Sequence, residues 1–130
     1  EEGKYASIKQ QGSLLSWKGK SYERLTLRPQ LDAGILAIEN WKRTPAWDTA
    51  GKWNDNSFLG SLEIRILDGK MVLINELPLE YYIAGVAETT EANAFEKKRA
   101  LAIVARSYAA YYLTHEKFPE MPYNGSDNPN

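Results

Sequence analysis

The hydrophobic period changes once along this 130-residue chain, and that switch limits the fold more than any other feature. From Phe58 to Leu67 the period is two, with Leu62, Ile64 and Ile66 on one face of a strand and Ser61, Glu63 and Arg65 on the other. Asp68-Gly69 predicts a hairpin turn, and Met71 to Ile74 is the returning strand. From about Ala94 to His115 the period is helical. Leu101, Val104, Ala105, Tyr108 and Tyr112 step by three or four residues and predict one buried stripe. Ala100, Ala102, Ala105, Ala109 and Ala110 permit close packing, and Pro119 and Pro122 stop the helix. Between the two regimes, Pro78 suits the first turn of a short helix from Leu79 to Ala84 that Gly85 ends. Strands followed by helices give an α+β fold, an antiparallel sheet in the N-terminal half packed against a long C-terminal helix.

Upstream, strands are expected at Ser13 to Trp17 and at Tyr22 to Arg28, joined by a tight turn at Lys18-Gly19-Lys20. Ile35 to Trp41 is short and apolar enough for a buried strand. Residues 42–56 make a long loop carrying Trp47 and Trp53; such loops in compact domains are usually functional or disordered. The length predicts a single domain over 1–130, made of a β-rich part (1–75), a helical region (76–118) and a closing loop (119–130). The chain opens on Glu1-Glu2 with no initiator Met and no signal-type apolar region, and it stops inside the turn-rich stretch Asn124 to Asn130. It therefore reads as part of something longer, truncated at its C-terminus, with any signal or anchor outside it.

Composition removes most chemistries. Sixteen basic against 17 acidic side chains leave a net charge of −1, which is no electrostatic footprint for nucleic acid or an anionic membrane. No apolar run approaches the roughly 20 residues of a membrane helix. With no Cys, thiol nucleophiles, disulfides, Fe–S clusters and Cys-based zinc sites are out; with one His, so is a multi-histidine metal site. Serine–histidine chemistry could use only His115. Carboxylate chemistry and binding remain, with no cofactor and no metal expected.

Two linked stretches carry a resemblance. Ile74-Asn75-Glu76-Leu77-Pro78-Leu79-Glu80-Tyr81-Tyr82-Ile83-Ala84-Gly85-Val86-Ala87-Glu88 is followed by the helix Glu96-Lys97-Lys98-Arg99-Ala100-Leu101-Ala102-Ile103-Val104-Ala105-Arg106-Ser107-Tyr108-Ala109. The pair resembles the signature of the SpoIID/LytB domain at its usual separation, and Phe58 to Ile64 is similar to the strand that precedes it. The resemblance covers about residues 57–115. It implies a sporulation or vegetative cell-wall protein that acts outside the cytoplasm. SpoIID-like members are lytic transglycosylases that cut peptidoglycan glycan strands between MurNAc and GlcNAc; LytB-like members are amidase enhancers. In the former, the glutamate after the Gly-[Val/Ile] step is the catalytic acid/base, and it maps onto Glu88. A carboxylic acid with a raised pKa can protonate a glycosidic oxygen. One such group suffices where the substrate's own muramyl 6-hydroxyl is the nucleophile and closes a 1,6-anhydro ring, whereas most glycosidases need two. The implied partners are peptidoglycan glycan strands and, in the amidase-enhancer alternative, an N-acetylmuramoyl-L-alanine amidase that a non-catalytic module would assist. The chain departs from the family at Leu101, where the family has Gln, and at Asn93-Ala94, where it has an aromatic-Pro pair. Some members hold zinc through Cys and His after the helix; without Cys, that site does not carry over.

Each candidate has two readings. Arg106 either clamps a substrate carboxylate such as the muramyl lactyl group, or forms an internal ion pair tying helix to loop, with Glu88 a possible partner. Pairing with Glu88 would lower that group's pKa and oppose an acid role. Trp41, Trp47 and Trp53 either stack on pyranose rings, with Trp47 and Trp53 the stronger candidates, or anchor the long loop to the core. Tyr108 and Tyr112 are either ligand contacts or core. Glu91 is either the acid, in a different register of the loop, or, like Thr90, a cap of the long helix. Glu76 and Glu80 belong on a solvated face or a helix N-terminus, and His115 belongs at a helix C-terminus.

Overall fold

The computed structural model describes residues 5–31, 34–44, 48–86 and 92–126. The chain divides into two compact units, Glu1–Glu76 and Leu77–Asn130. Among the described residues the first unit holds all the strands and the second both helices, which is the α+β order that the period switch predicts.

The first unit contains β1 (Lys9–Gln11), β2 (Leu14–Trp17) and β3 (Lys20–Tyr22), which pair antiparallel in that order. A second sheet runs β4 (Arg24–Leu27), β7 (Ser61–Leu67), β8 (Lys70–Glu76), and β5 (Ile35–Ala37) pairs with β6 (Ser57–Leu59) in a third. Both expected tight turns form. Lys18 and Gly19 have φ of 50° and 75°, Asp68 and Gly69 of 49° and 72°. Each pair links partners in register, Trp17 with Lys20 and Leu67 with Lys70. Positive φ at both central residues gives the turn whose twist matches the flanking strands.

The single expected sheet is three, and the first two part where the chain changes partner at Glu23. Tyr22 pairs with Leu15 on β2, whereas Arg24 pairs with Arg65 on β7. The two three-stranded sheets share a core of Leu15, Leu25 and Ile64, with Ile8, Trp17, Tyr22, Leu27, Ile66 and Leu73 packed around it. Leu15 is fully buried, and Leu62 and Ile64 fall on the buried face of β7 as the alternation requires. The buried strand expected from Ile35 to Trp41 forms only over Ile35–Ala37, and Ile35 is 63% exposed. Its one partner, β6, is equally short, and a two-stranded ribbon has little surface to bury against.

In the second unit, Pro78 caps α1 (Leu79–Ala84), its carbonyl accepting from the Tyr81 and Tyr82 N–H groups. The Gly85 N–H closes the helix onto the Tyr81 and Tyr82 carbonyls. The long helix α2 runs Phe95–Thr114, with Ala94 and His115 as its caps, so the expected span is met. The N-cap is Ala94, with no side-chain cap, instead of the expected Glu91 or Thr90, because the helix starts at Phe95, beyond their reach. Helices α1 and α2 are in contact. The half-buried stripe of α2 keeps the expected spacing but is turned: Lys98, Leu101, Ala102, Ala105, Ala109 and Tyr112 lie on it, while Val104 and Tyr108 are exposed. Alanine sets that rotation. Small side chains allow close approach between helices, so the alanine-rich side, rather than the bulkiest side, faces inward.

Candidate functional site

Two clusters in the second unit and one loop in the first concentrate the candidate residues. Glu80 lies in the first turn of α1, where negative charge meets the helix dipole well. From α2, Arg106 grips it with a two-pronged fork: Nε donates to Oε1 at 3.1 Å and Nη2 to Oε2 at 2.6 Å. The hydrogen bonds from Arg106 hold the Glu80 carboxyl below the usual carboxylate range, against a smaller opposing effect of burial. The Glu80 hydrogen bonds in turn raise the Arg106 guanidinium above its ordinary value. Both side chains face water, so the pair fixes geometry more than it adds stability. Arg106 is thus an internal ion pair, with Glu80 as partner. Its Nη1 makes no hydrogen bond among the described residues and continues the same planar fork.

The second cluster closes α2. Lys117 Nζ donates to the Tyr108 hydroxyl at 2.9 Å and lies 5.6, 5.3 and 5.6 Å from the ring centroids of Tyr108, Tyr112 and Phe118. The hydrogen bond to Tyr108 raises the Lys117 ammonium above its ordinary value. Tyr108 meets Tyr112 edge-on at 4.7 Å, and His115 stacks on Tyr111 at 4.2 Å. His115 at the helix C-terminus is as the sequence predicts, and its Nδ1 lies 3.1 Å from the Tyr111 carbonyl oxygen. Tyr108 is therefore neither core nor free hydroxyl: its ring is half exposed and its oxygen engaged.

In the first unit, residues 38–56 carry no regular structure where described, yet polar groups pin them closely. The Asp48 carboxylate accepts from the Ala50 N–H at 3.2 Å and the Trp53 N–H at 2.7 Å. Asn54 accepts from the Arg43 N–H at 2.8 Å and donates to the Trp41 carbonyl at 2.9 Å. Asn56 donates to the Ile38 carbonyl at 3.0 Å, and backbone bonds join Ile38 to Asn56 and Asp55 to Arg43. Trp53 is 63% and Trp41 38% exposed. Asx-type side chains bonding to nearby backbone hold the loop together.

Glu88 falls in sequence between α1 and α2, two residues after Val86, and lies outside the described residues, as do Trp47, Thr90, Glu91 and Asp127 to Asn130. The structure brings Arg106 to Glu80 and Tyr108 to Lys117, and it leaves Trp53 on the pinned loop. Neither Glu80 as the partner of Arg106 nor Lys117 among its aromatic rings is evident from the sequence. The signal for Glu80 was its place at a helix N-terminus; for Lys117 there was none, since nine residues separate it from Tyr108 across the helix end. Among the described residues, no three His, Cys, Asp or Glu side chains converge as metal ligands would, and no helix is long and apolar enough to cross a membrane.

Residues 67–128 match the family model of SpoIID, a stage II sporulation protein. No curated protein and no solved structure matches the chain significantly. The match begins at the end of β7 and takes in β8, both helices, Glu88, and the Arg106 and Tyr108 clusters; β1–β6 and the pinned loop precede it. It ties the chain to sporulation and the cell wall.

Proposed function

The chain belongs to the SpoIID family across residues 67–128, and from that premise we propose that it is a lytic transglycosylase of peptidoglycan, acting outside the cytoplasm, with Glu88 as its acid/base. The single observation that carries this reading is that Glu88 lies inside the matched stretch, on the connection between the two helices. The Arg106 fork supports it. With its Nε and Nη2 given to Glu80, Arg106 has its carboxylate partner in α1 rather than having to take one from the 87–91 connection.

In the proposed reaction, protonated Glu88 gives its proton to the oxygen linking MurNAc C1 to the next GlcNAc. The C1–O bond breaks and the GlcNAc end leaves as an alcohol. The resulting carboxylate takes the proton of the muramyl 6-hydroxyl as that oxygen bonds to C1, closing the 1,6-anhydro ring and restoring the acid. No water enters, and one carboxyl group serves both steps. Arg106, steadied by Glu80, offers Nη1 to the lactyl carboxylate of the same muramyl unit, a geometry for which a guanidinium is suited.

The experiment is incubation of purified glycan strands with the protein, read by mass for 1,6-anhydro-muramyl ends. The expected result is such ends with the wild-type chain and their loss by at least about a hundredfold in Glu88→Gln, the usual scale for a general acid/base. Equal products from both proteins would refute the role of Glu88. Binding without products from either would favour the non-catalytic module that assists an amidase.

A further inference from the structure

We propose that the outer edge of β8 pairs with β8 of a second copy of this chain, antiparallel about a two-fold axis through Leu73. The strand Lys70–Glu76 is complementary to itself when reversed, in backbone groups and in charge. The contact uses nothing from Glu88 or Arg106, so it stands or falls apart from the reaction above.

Among the described residues β8 is the last strand of its sheet, bonded to β7 on one side only. The two-residue turn at Asp68-Gly69 decides which backbone groups are left over. In such a hairpin the closing pair, here Leu67 and Lys70, exchanges both of its bonds, and every second pair after it does the same. Lys70, Val72, Ile74 and Glu76 therefore give their N–H and C=O groups to β7, and Met71, Leu73 and Asn75 point theirs outward. No described residue bonds to those outward groups. Sheet edges are usually blunted by a charge, a proline or a bulge, yet Met71 to Asn75 holds none of the three. With Leu73 facing its own copy, Met71 faces Asn75, and each outward N–H meets an outward C=O. The same register sets Val72 opposite Ile74, two β-branched residues, and Lys70 opposite Glu76 at both ends. Both charged side chains are exposed; among the described residues Lys70 has no ion pair, and Glu76 accepts one long bond, from the Ser61 hydroxyl at 3.4 Å. Sliding the copies by two residues opens both ion pairs and leaves an outward residue unmatched. Sliding by one sets outward groups against residues already bonded to β7. The backbone would accept any extended segment; the opposite charges at the two ends single out a second copy.

The test is sedimentation of the whole 130-residue chain over a range of concentrations. The expected result is a reversible equilibrium between monomer and dimer. Lys70→Glu alone and Glu76→Lys alone each put like charges opposite one another at both ends, and each should weaken the dimer roughly tenfold. Mixing the two single variants should restore it, because each copy then meets the opposite charge at both ends; the double variant should restore it too. Both side chains are exposed, so neither change threatens the fold. Amide exchange locates the contact. Met71, Leu73 and Asn75 should gain protection as concentration rises, while Val72 and Ile74, already bonded to β7, should not change. A monomer at every concentration overturns the proposal, as does a dimer whose outward amides stay unprotected or whose affinity ignores both single variants. Mass that keeps growing with concentration also overturns it, since a two-fold contact closes on itself.

Discussion

Replacing Asp48 by Ala should loosen the tryptophan loop without unfolding the protein. The carboxylate receives two backbone N–H groups, a short bond from Trp53 at 2.7 Å and a longer one from Ala50 at 3.2 Å. A hydrogen bond to a charged acceptor contributes about 1.5–3 kcal/mol when well buried. Asp48 is only half buried, and removing an Asp that caps backbone N–H groups in comparable exposure costs about 0.5–2 kcal/mol. The shorter of the two bonds places the expected loss near the upper end, about 1–2 kcal/mol, or a 5–30-fold rise in the open fraction of the loop. Amide hydrogen exchange reads this directly: Trp53 should exchange about 5–30-fold faster in Asp48→Ala, while Leu15 and Ile64 in the core should not change. Asp48→Asn keeps one acceptor oxygen and should fall between. Unchanged exchange at Trp53 in Asp48→Ala would refute the reasoning, since the loop would then be held by something other than these two bonds.

Two more outcomes follow from the same structure. Leu15→Ala should lower the stability of the first unit by about 2–5 kcal/mol, because Leu15 is fully buried at the contact between the two three-stranded sheets; thermal unfolding measures it, and a loss under about 1 kcal/mol would mean that the core is elsewhere. Glu80 has a folded-state pKa below its ordinary value, so its pairing with Arg106 contributes in full above the ordinary glutamate range and fades as pH falls through the lowered value. Protection of the Gly85 amide, measured against its intrinsic exchange rate at each pH, should therefore fall on acidification and with added salt, and Glu80→Gln should remove both dependences; an unchanged protection profile in that variant would show that the pair does not hold α1.

The β7–β8 hairpin of the first unit and the long helix of the second show how far a one-dimensional pattern reaches. The alternation at Leu62, Ile64 and Ile66 and the turn at Asp68-Gly69 appear in the structure as expected, because a period-two face and a two-residue turn are local properties. The α2 span is met for the same reason. Its inward face is not, since Val104 and Tyr108 are as apolar as Ala102 and Ala109 in a simple pattern. Which of them faces inward depends on how near α1 can come.

The site divides along the same line. Glu88 was marked by motif and Arg106 by its place on the helix, both from residue order alone. That Arg106 would take Glu80, 26 positions away, required α1 and α2 to fold side by side. That Lys117 would settle on Tyr108, Tyr112 and Phe118 required the chain to turn back after His115. The sequence by itself determined the order of strands and helices, the tight turns and the match of residues 67–128 to the SpoIID model, because each follows from spacing along the chain. Only the tertiary structure decided the partition into three sheets, the partners of Arg106 and Tyr108, and the exposure of Trp53. Those depend on contacts between residues far apart in the chain, and no local period encodes which of several chemically adequate partners arrives first at bonding distance.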